Sequence, residues 1–390
     1  MHAGDELAVE SGVSRRHRPI AFRELRVGAA DSGRRTDAGG GSGDHVSTLA
    51  PPGCGDQRKS DTTRSVYAGQ MNGSVPLNRT VLPHGTVCAA PSLGHAVAVL
   101  GSANLDVVFT VERIPQPGET LLAGSAERHP GGKGLNQAVA AARAGAVTDF
   151  IGALGSDDAG DLLARTMAEA AIGSAQVRRE STATGQAFIA VDGVGENTII
   201  VASGANATLL SLTAEDSRAI AAAQVLLLQL ELPLGVVQVA AREAHAAGVI
   251  VMLNAAPARE LPASLLASLD YLIVNQHEAC LIGQSHDLAE ASARLGSLVP
   301  RLVVTLGSQG SVLYAAGEEV ARVSAPRVAT IDTTGAGDTF CGAFAAAIAE
   351  GQEFESAAQF ATAAAALSVQ VIGAVPSVPL RTAIEARLRS

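Results

Sequence analysis

At 390 residues the chain has room for one large α/β domain or two smaller ones, and with 47% apolar and 17% charged residues it can bury a substantial core. A net charge of −10 without a basic stripe argues against nucleic acid as the main partner. No apolar run reaches the length of a membrane span and no signal-peptide pattern opens the chain; its 4 cysteines (Cys54, Cys88, Cys280, Cys341) lack disulfide or zinc spacing, which fits a reducing cytoplasm.

Residues 1–94 differ in character from the rest. They hold Gly-Gly-Gly-Ser-Gly, Pro-Pro-Gly and scattered charges, with no sustained helical or strand period. They carry 11 basic against 9 acidic residues, which leaves 17 against 29, a balance of −12, for the remainder. Too little apolar surface is available there to offset the entropy of ordering, so the stretch reads as a disordered extension. A targeting segment and an upstream stretch absent from the native product, with Met71 as an internal start, are the other readings; the acidic residues count against a transit peptide.

From Ala96 the pattern changes. Ala96–Leu100 is a short apolar run that empties into the polar stretch Gly101-Ser102-Ala103-Asn104-Leu105-Asp106, a buried strand followed by a loop with no G-x-G-x-x-G. Val107–Thr110 continues as a strand, the prolines at 115 and 117 turn the chain, and Thr120–Leu122 resumes it. Gly131-Gly132-Lys133-Gly134-Leu135-Asn136 then opens an Ala-rich helix. It is not a Walker A loop, because Gly134 stands where Ser or Thr must bind magnesium; its glycines suit close approach to a ligand, with Lys133 and Asn136 as donors. Asp157-Asp158 reads as a helix cap with a first-turn acid. Phe188–Val191 and Thr198–Val201 flank a Gly- and Asn-bearing turn and form a hairpin, which with the Val107–Leu122 strands makes a small second sheet, a lid.

After Thr208 apolar runs alternate with helical segments, which implies a mostly parallel sheet covered on both faces. The runs end in polar residues: Glu231 after Val225–Leu228, Asn254, Asn275 and Thr305. In open α/β sheets ligands bind beyond the carboxyl ends of the strands, so these side chains should share a crevice. Asn275 and Glu278, three apart, can address one solvated cation or form a helix-capping box, and His277 between them reads as a surface histidine. Leu306–Gly310 is a glycine turn suited to a nucleotide or simply to a tight bend.

The rest is organised around Asp332-Thr333-Thr334-Gly335-Ala336-Gly337-Asp338, which opens an apolar helical run from Phe340 to Ile348. Phe340, Phe344 and Ile348 recur every four residues and should share one helix face. Glycines ahead of a helix aim backbone N–H groups at one point, where the helix dipole favours an anion. A carboxylate at that mouth suits a base that takes a proton from an attacking hydroxyl, or it is a helix N-cap.

From about residue 95 to its end the chain resembles the ribokinase/PfkB family of carbohydrate kinases. Gly101–Asp106 is similar to the family's sugar-binding opening, Gly131–Ala138 to its first signature and Asp332–Phe340 to its second. Ser203–Asn206, Gln229–Glu231 and Asn254–Leu261 resemble its ribose-phosphorylating branch. The resemblance implies a ribokinase-like three-layer α/β/α domain over 95–390, with a mostly parallel central sheet and a small β-sheet lid whose strands lie near 105–125 and 185–203. It implies ATP-dependent phosphorylation of D-ribose at O5 in the cytoplasm, the alternatives being another sugar or nucleoside kinase of the family, acting on deoxyribose, fructose or adenosine, and a non-catalytic sugar-binding regulator. Asp338 would be the base, the N–H groups of Gly335, Ala336 and Gly337 the anion hole, and Asn104, Asp106, Gly132, Lys133, Asn136 and Glu231 the sugar pocket with Asp338. ATP would lie against Asn275, Thr305, Gly307, Gly310, Gly337 and Thr362, the last standing where a His or Asn often meets adenine. Asn275 and Glu278 would place Mg2+ through water, and Asp332, Thr334, Ser368, Val371, Gly373 and Ser377 would surround K+. Leu135 replaces a small residue beside the sugar loop, Ala255 replaces a proline, and a homodimer paired through the lid is implied.

Overall fold

The apolar runs become strands of one large sheet. The computed structural model describes residues 96–193 and 195–389, so the readings for residues 1–94 lie outside the described residues. β1 (Ala96–Leu100) leads to β2 (Asn104–Thr110), β3 (Ser125–Gly131) and α1 (Lys133–Arg143). β4 (Val147–Gly155), α2 (Asp158–Glu169), β5 (Gly173–Glu180), β6 (Gly185–Val191) and β7 (Asn197–Ala202) follow. The chain then alternates α3 (Ala214–Ala222), β8 (Val225–Leu228), α4 (Leu234–Ala246), β9 (Ile250–Asn254), α5 (Ala263–Leu266) and β10 (Tyr271–Asn275). After α6 (Gln276–Gly283), α7 (Leu288–Gly296) and β11 (Arg301–Thr305) comes the hairpin β12 (Ser311–Ala315) and β13 (Glu318–Val323). α8 (Ala336–Ala349), α9 (Phe354–Ser368), α10 (Ala374–Ser377) and α11 (Arg381–Leu388) complete it.

Among the described residues the large sheet has 9 strands in the order β13-β12-β11-β10-β9-β8-β1-β4-β5. Every pairing from β11 to β5 is parallel, and the antiparallel β12 and β13 close one edge. Successive strand residues face opposite layers. Val97, Val99, Leu227, Met252, Ile273 and Val303 pack with α1, α8 and α9, whereas Ala98, Leu100, Leu226, Leu228, Val251 and Val274 pack with α4 and its neighbours. Both faces are therefore dry, which is why these strands read as unbroken apolar runs instead of alternating ones. Leu135, expected beside the sugar loop, is fully buried in the first of these layers.

The second sheet has the order β3-β2-β6-β7. Its hairpin β6–β7 is as expected, with Phe188 opposite Ile200. The strand expected at 120–122 is not there; the partner of β2 is β3, paired from Asn104↔Gly131 to Thr110↔Ser125. Most of β3 is solvent-facing, so Ser-Ala-Glu-Arg-His-Pro-Gly carries no apolar period to announce it, while the apolar Leu121-Leu122 lies in irregular chain.

The apolar run expected after Asp338 is the helix α8. Phe340, Phe344 and Ile348 are buried, and so is every other residue from Asp338 to Ala349, so the helix is central. The Ala-rich remainder lets neighbours approach closely. A Cβ on Gly342 would fall 2.3 Å from the Gln137 carbonyl and 2.5 Å from the Ala140 Cβ, so α8 and α1 are in backbone contact there. Phe344 packs edge-on to Tyr271 of β10, with ring centroids 5.5 Å apart, and so ties α8 to the sheet.

Candidate active site

The close α1–α8 approach brings two distant motifs together. Gly335, in the left-handed conformation at φ +73°, caps α8, and Asp338 is the third residue of the helix; the N-cap reading of Asp338 therefore fails. A side chain at 335 would be strained by that φ and would also press on Ala374 at 2.8 Å. Asp338 instead reaches across to α1. Asn136 Nδ2 donates to its Oδ2 at 2.9 Å and Gln137 Nε2 donates to its Oδ1 at 2.8 Å, all three residues being buried. Each carboxylate oxygen keeps further acceptor capacity for a substrate hydroxyl. Gly335 and Gly337 line the adjoining cavity, whereas the Ala336 N–H donates to the Thr333 carbonyl at 3.2 Å.

Glu231 lies just beyond the end of β8, accepts from Ser102 Oγ at 2.5 Å and receives the backbone N–H of Lys133 at 3.1 Å. Asn104 is held through Asn206, whose Nδ2 donates to Asn104 Oδ1 at 2.8 Å while its Oδ1 accepts from the Ala103 N–H. The Gly131–Gly134 glycines meet protein and not open space. Gly132 abuts Ala103 and Asn104, Gly134 abuts Gly101 and Ser102, and Gly131 abuts the Asp106 carboxyl. Their compactness seats the 101–106 loop on the start of α1.

The charges here are crowded. Burial, with the neighbouring Glu231 and Asp338 carboxylates, pushes Asp106 up to about 7 against the opposing pull of Lys133. Asp338 beside Lys133 raises the lysine above its ordinary value despite burial, with Glu231 and Glu278 adding to the effect. One cation thus serves several carboxylates.

A cavity of about 140 Å³ opens beside them, lined by Lys133, Asn254, Asn275, Glu278, Thr305, Gly335, Gly337, Asp338 and Cys341 among others. The strand-end residues Asn254, Asn275 and Thr305 therefore share a crevice with Asp338 as expected. Asn275 and Glu278 form the capping box of α6: each side chain accepts the other's backbone N–H at 2.8 Å. Burial raises the Glu278 carboxyl, partly offset by the Asn275 N–H and Lys133. Gly307 and Gly310, both at positive φ, form the turn after β11, where a Cβ on Gly310 would strike the Val323 carbonyl. Thr362 sits inside α9, its hydroxyl buried without a partner, and is not among the cavity's lining residues.

Behind the start of α8, two loops are knitted together. Ile331 and Asp332 N–H groups both donate to the Val369 carbonyl, and Asp332 accepts from Thr334 N–H at 2.9 Å and Gly373 N–H at 2.8 Å. Burial opposes the Asp332 charge, but these N–H donors outweigh it and hold the carboxyl below its usual range. Ser368 carbonyl accepts from Val371 N–H, and Ser377 Oγ donates to the Ala374 carbonyl. The six residues expected around a monovalent cation thus lie on segments that meet here.

Sequence reasoning missed Gln137, Ser102, Asn206 and Cys341. Gln137 follows Asn136 in the first motif, but nothing local discloses that its partner lies 201 residues away.

The model of the pfkB family of carbohydrate kinases matches residues 95–381. A ribokinase of Haemophilus influenzae is 40% identical over 293 residues, 73% of this chain and 95% of that protein. One of Staphylococcus aureus is 39% identical over 296 residues, again 73% of this chain and 96% of its own. The structure of Arabidopsis thaliana ribokinase complexed with ribose and ATP matches with a TM-score of 0.71 at 36% identity, covering 76% of this chain and 99% of that one.

Proposed function

The chain belongs to the pfkB family of carbohydrate kinases, and from that membership we propose that it transfers the γ-phosphoryl group of ATP to the 5-hydroxyl of D-ribose, giving D-ribose 5-phosphate and ADP. The observation that carries this reading is the carboxylate of Asp338, buried and held on both oxygens by α1 beside a cavity that Gly335, Gly337 and Lys133 also line. Asp338 takes the proton from the hydroxyl as it attacks, and the N–H groups at the start of α8 stabilise charge on the phosphoryl oxygens. Asn104, Asp106, Gly132, Lys133, Asn136 and Glu231 hold the sugar, so that positioning supplies much of the rate. ATP lies along Asn275, Thr305 and Gly337 of the cavity wall and the Gly307–Gly310 turn after β11.

A divalent cation accompanies the nucleotide, and we take it to be Mg2+. Among the described residues no three His, Cys, Asp or Glu side chains form a metal-binding group. A site offering chiefly Glu278 and Asn275 suits a cation that keeps water and phosphate as most of its ligands. Oxygen atoms of Asp332, Thr334, Ser368, Val371, Gly373 and Ser377 would hold K+, whose charge would strengthen the field of the anion hole. No described helix is long and apolar enough to cross a membrane, and a cytoplasmic homodimer paired through the lid accords with the reading. Phe188 and Ile200, directly opposed on β6 and β7, remain 38% and 65% exposed, as an interface pair would be in a lone subunit.

The test is ADP release from ATP and magnesium across ribose, deoxyribose, fructose and adenosine, with and without potassium. Ribose should be preferred, turnover should rise with potassium, and Asp338→Asn should lower kcat by about 10²–10⁴-fold with ribose still bound. A wild-type rate in that variant would overturn Asp338 as the base, and preference for another acceptor would overturn ribose.

A further inference from the structure

Behind Asp338 lies a chain of buried amides that the proposed reaction does not yet use. Gln229 follows β8 and is 1% exposed; its Nε2 donates to Gln137 Oε1 at 2.6 Å. Gln137, the fifth residue of α1 and wholly buried, donates from Nε2 to Asp338 Oδ1 at 2.8 Å and to Asn254 Oδ1 at 3.0 Å. Asn254, at the end of β9, donates in turn to the Ile273 carbonyl at 3.4 Å.

The polarity of this chain follows from chemistry. An ionised carboxylate only accepts, so the Gln137 atom that touches Asp338 must be its nitrogen, and its oxygen must then face Gln229. That oxygen accepts only, so Gln229 must present nitrogen to it. The consequence is visible at the far end. Gln229 Oε1 is left buried with no partner, against the backbone of Gly101, where a built Cβ would lie 2.3 Å from it. An orphaned buried acceptor is unfavourable. Turning the Gln229 amide over would not relieve it, because two oxygens would then face each other at Gln137.

We propose that Gln229 and Gln137 form a positioning relay for the base: Gln229 fixes the orientation of the Gln137 amide, and Gln137 pins Asp338 to the ends of β8 and β9. Asn136 supplies the bond to the second carboxylate oxygen, from the preceding residue of the same helix. The carboxylate is thereby held in one rotamer with acceptor capacity left toward the sugar. The inference rests on Asp338 being the base, as proposed above. It assigns to Gln137 and Gln229 control of the chemical step and no contact with substrate.

The experiment compares Gln137→Met and Gln229→Met, near-isosteric changes that remove the amide, with the wild-type enzyme and Asp338→Asn. Ribose affinity is read by calorimetry, kcat by ADP release, and folding by thermal unfolding. Gln137→Met is expected to lower kcat by about 10²-fold, the scale of a base displaced by about 1 Å, with ribose affinity within about threefold of wild type. Gln229→Met, which leaves the Asp338 contact in place, should show the same split at about tenfold. Wild-type kcat in both variants would overturn the relay, and so would a loss of ribose affinity that accounts for the fall in rate. If Gln137→Met does not unfold cooperatively, Gln229→Met decides by the same two criteria. Should the wild-type enzyme prefer another acceptor, the comparison is made with that acceptor. If Asp338→Asn retains its rate, the reading of the base fails, a result distinct from failure of the relay.

Discussion

On the proposed sugar side Asp338 meets Asn136 from 202 residues away and Glu231 meets Ser102 from 129, whereas on the proposed nucleotide side Asn275 and Glu278 cap each other across three residues. The first kind of contact exists only once the sheet and helices are assembled, and it leaves the pocket's polar groups oriented without ligand. The second forms locally, and it occupies the very atoms that a nucleotide or its cation would address. On the proposed assignment, sugar recognition is therefore preorganised, while nucleotide recognition has to add to, or exchange with, a helix cap. Preorganised groups lose little freedom on binding. Damage to the sugar side should accordingly be severe and specific, and damage to the nucleotide side milder and mixed with stability.

The strongest way to break the comparison is Lys133→Ala. Lys133 is coupled electrostatically to Asp338, Glu231 and Glu278, and Asp106 also feels its charge. Truncating one member of a buried charge group costs about 2–5 kcal/mol, or roughly 30-fold to several thousandfold in affinity. The ribose KM should rise on that scale and far more than the ATP KM. Steady-state kinetics with each substrate varied in turn will decide; equal changes for both would show that the two sides are not separately held.

Asp106→Asn sharpens the comparison through pH. The Asp106 carboxyl is raised from 3.8 to about 7 by burial and by Glu231 and Asp338. A raised folded-state value means that the native protein binds the proton more tightly than the unfolded chain. The stabilisation is therefore fully present below about pH 4 and lost as pH rises to about 7. Wild type minus variant, measured by thermal unfolding, should show that loss, and at pH 8 the variant should be the more stable protein. Ribose affinity should nevertheless fall by about tenfold, the scale of a hydrogen bond to a charged group. Parallel stability curves for the two proteins between pH 4 and 8 would refute the crowded-carboxylate account.

The same division explains what could be read from the sequence. The apolar runs ending in Asn254, Asn275 and Thr305, the Asn275–Glu278 box and the Gly335 turn are local patterns, and each appears in the fold where its pattern placed it. Gln137, Ser102 and Asn206 are small polar residues whose partners are fixed by tertiary packing, so no spacing pointed to them. β3 was missed because an exposed strand has no apolar face to repeat. The four-residue spacing of Phe340, Phe344 and Ile348 was legible, but alanines and Gly342 leave the other faces of α8 equally buried, and the closeness to α1 that delivers Asp338 to Asn136 and Gln137 is set by packing alone.

The smallest expected effect lies at Asn275, where two roles can be separated. Asn275→Ala removes the side chain that accepts the Glu278 N–H at the start of α6 and should cost about 1 kcal/mol of stability. It should also raise the ATP KM about threefold, the loss of one neutral hydrogen bond, with the ribose KM unchanged. Asn275→Asp keeps a capping oxygen but brings a second carboxylate beside Glu278 and a negative charge toward the phosphates. If the cap and the nucleotide contact are distinct functions of one side chain, the Asp variant should recover most of the thermal stability while its ATP KM rises further. Recovery of both in Asn275→Asp would mean that the residue serves nucleotide binding only by holding α6 in place. The nucleotide side would then be built like the sugar side, from structure alone, and the contrast between them would reduce to how far apart in the chain their partners lie.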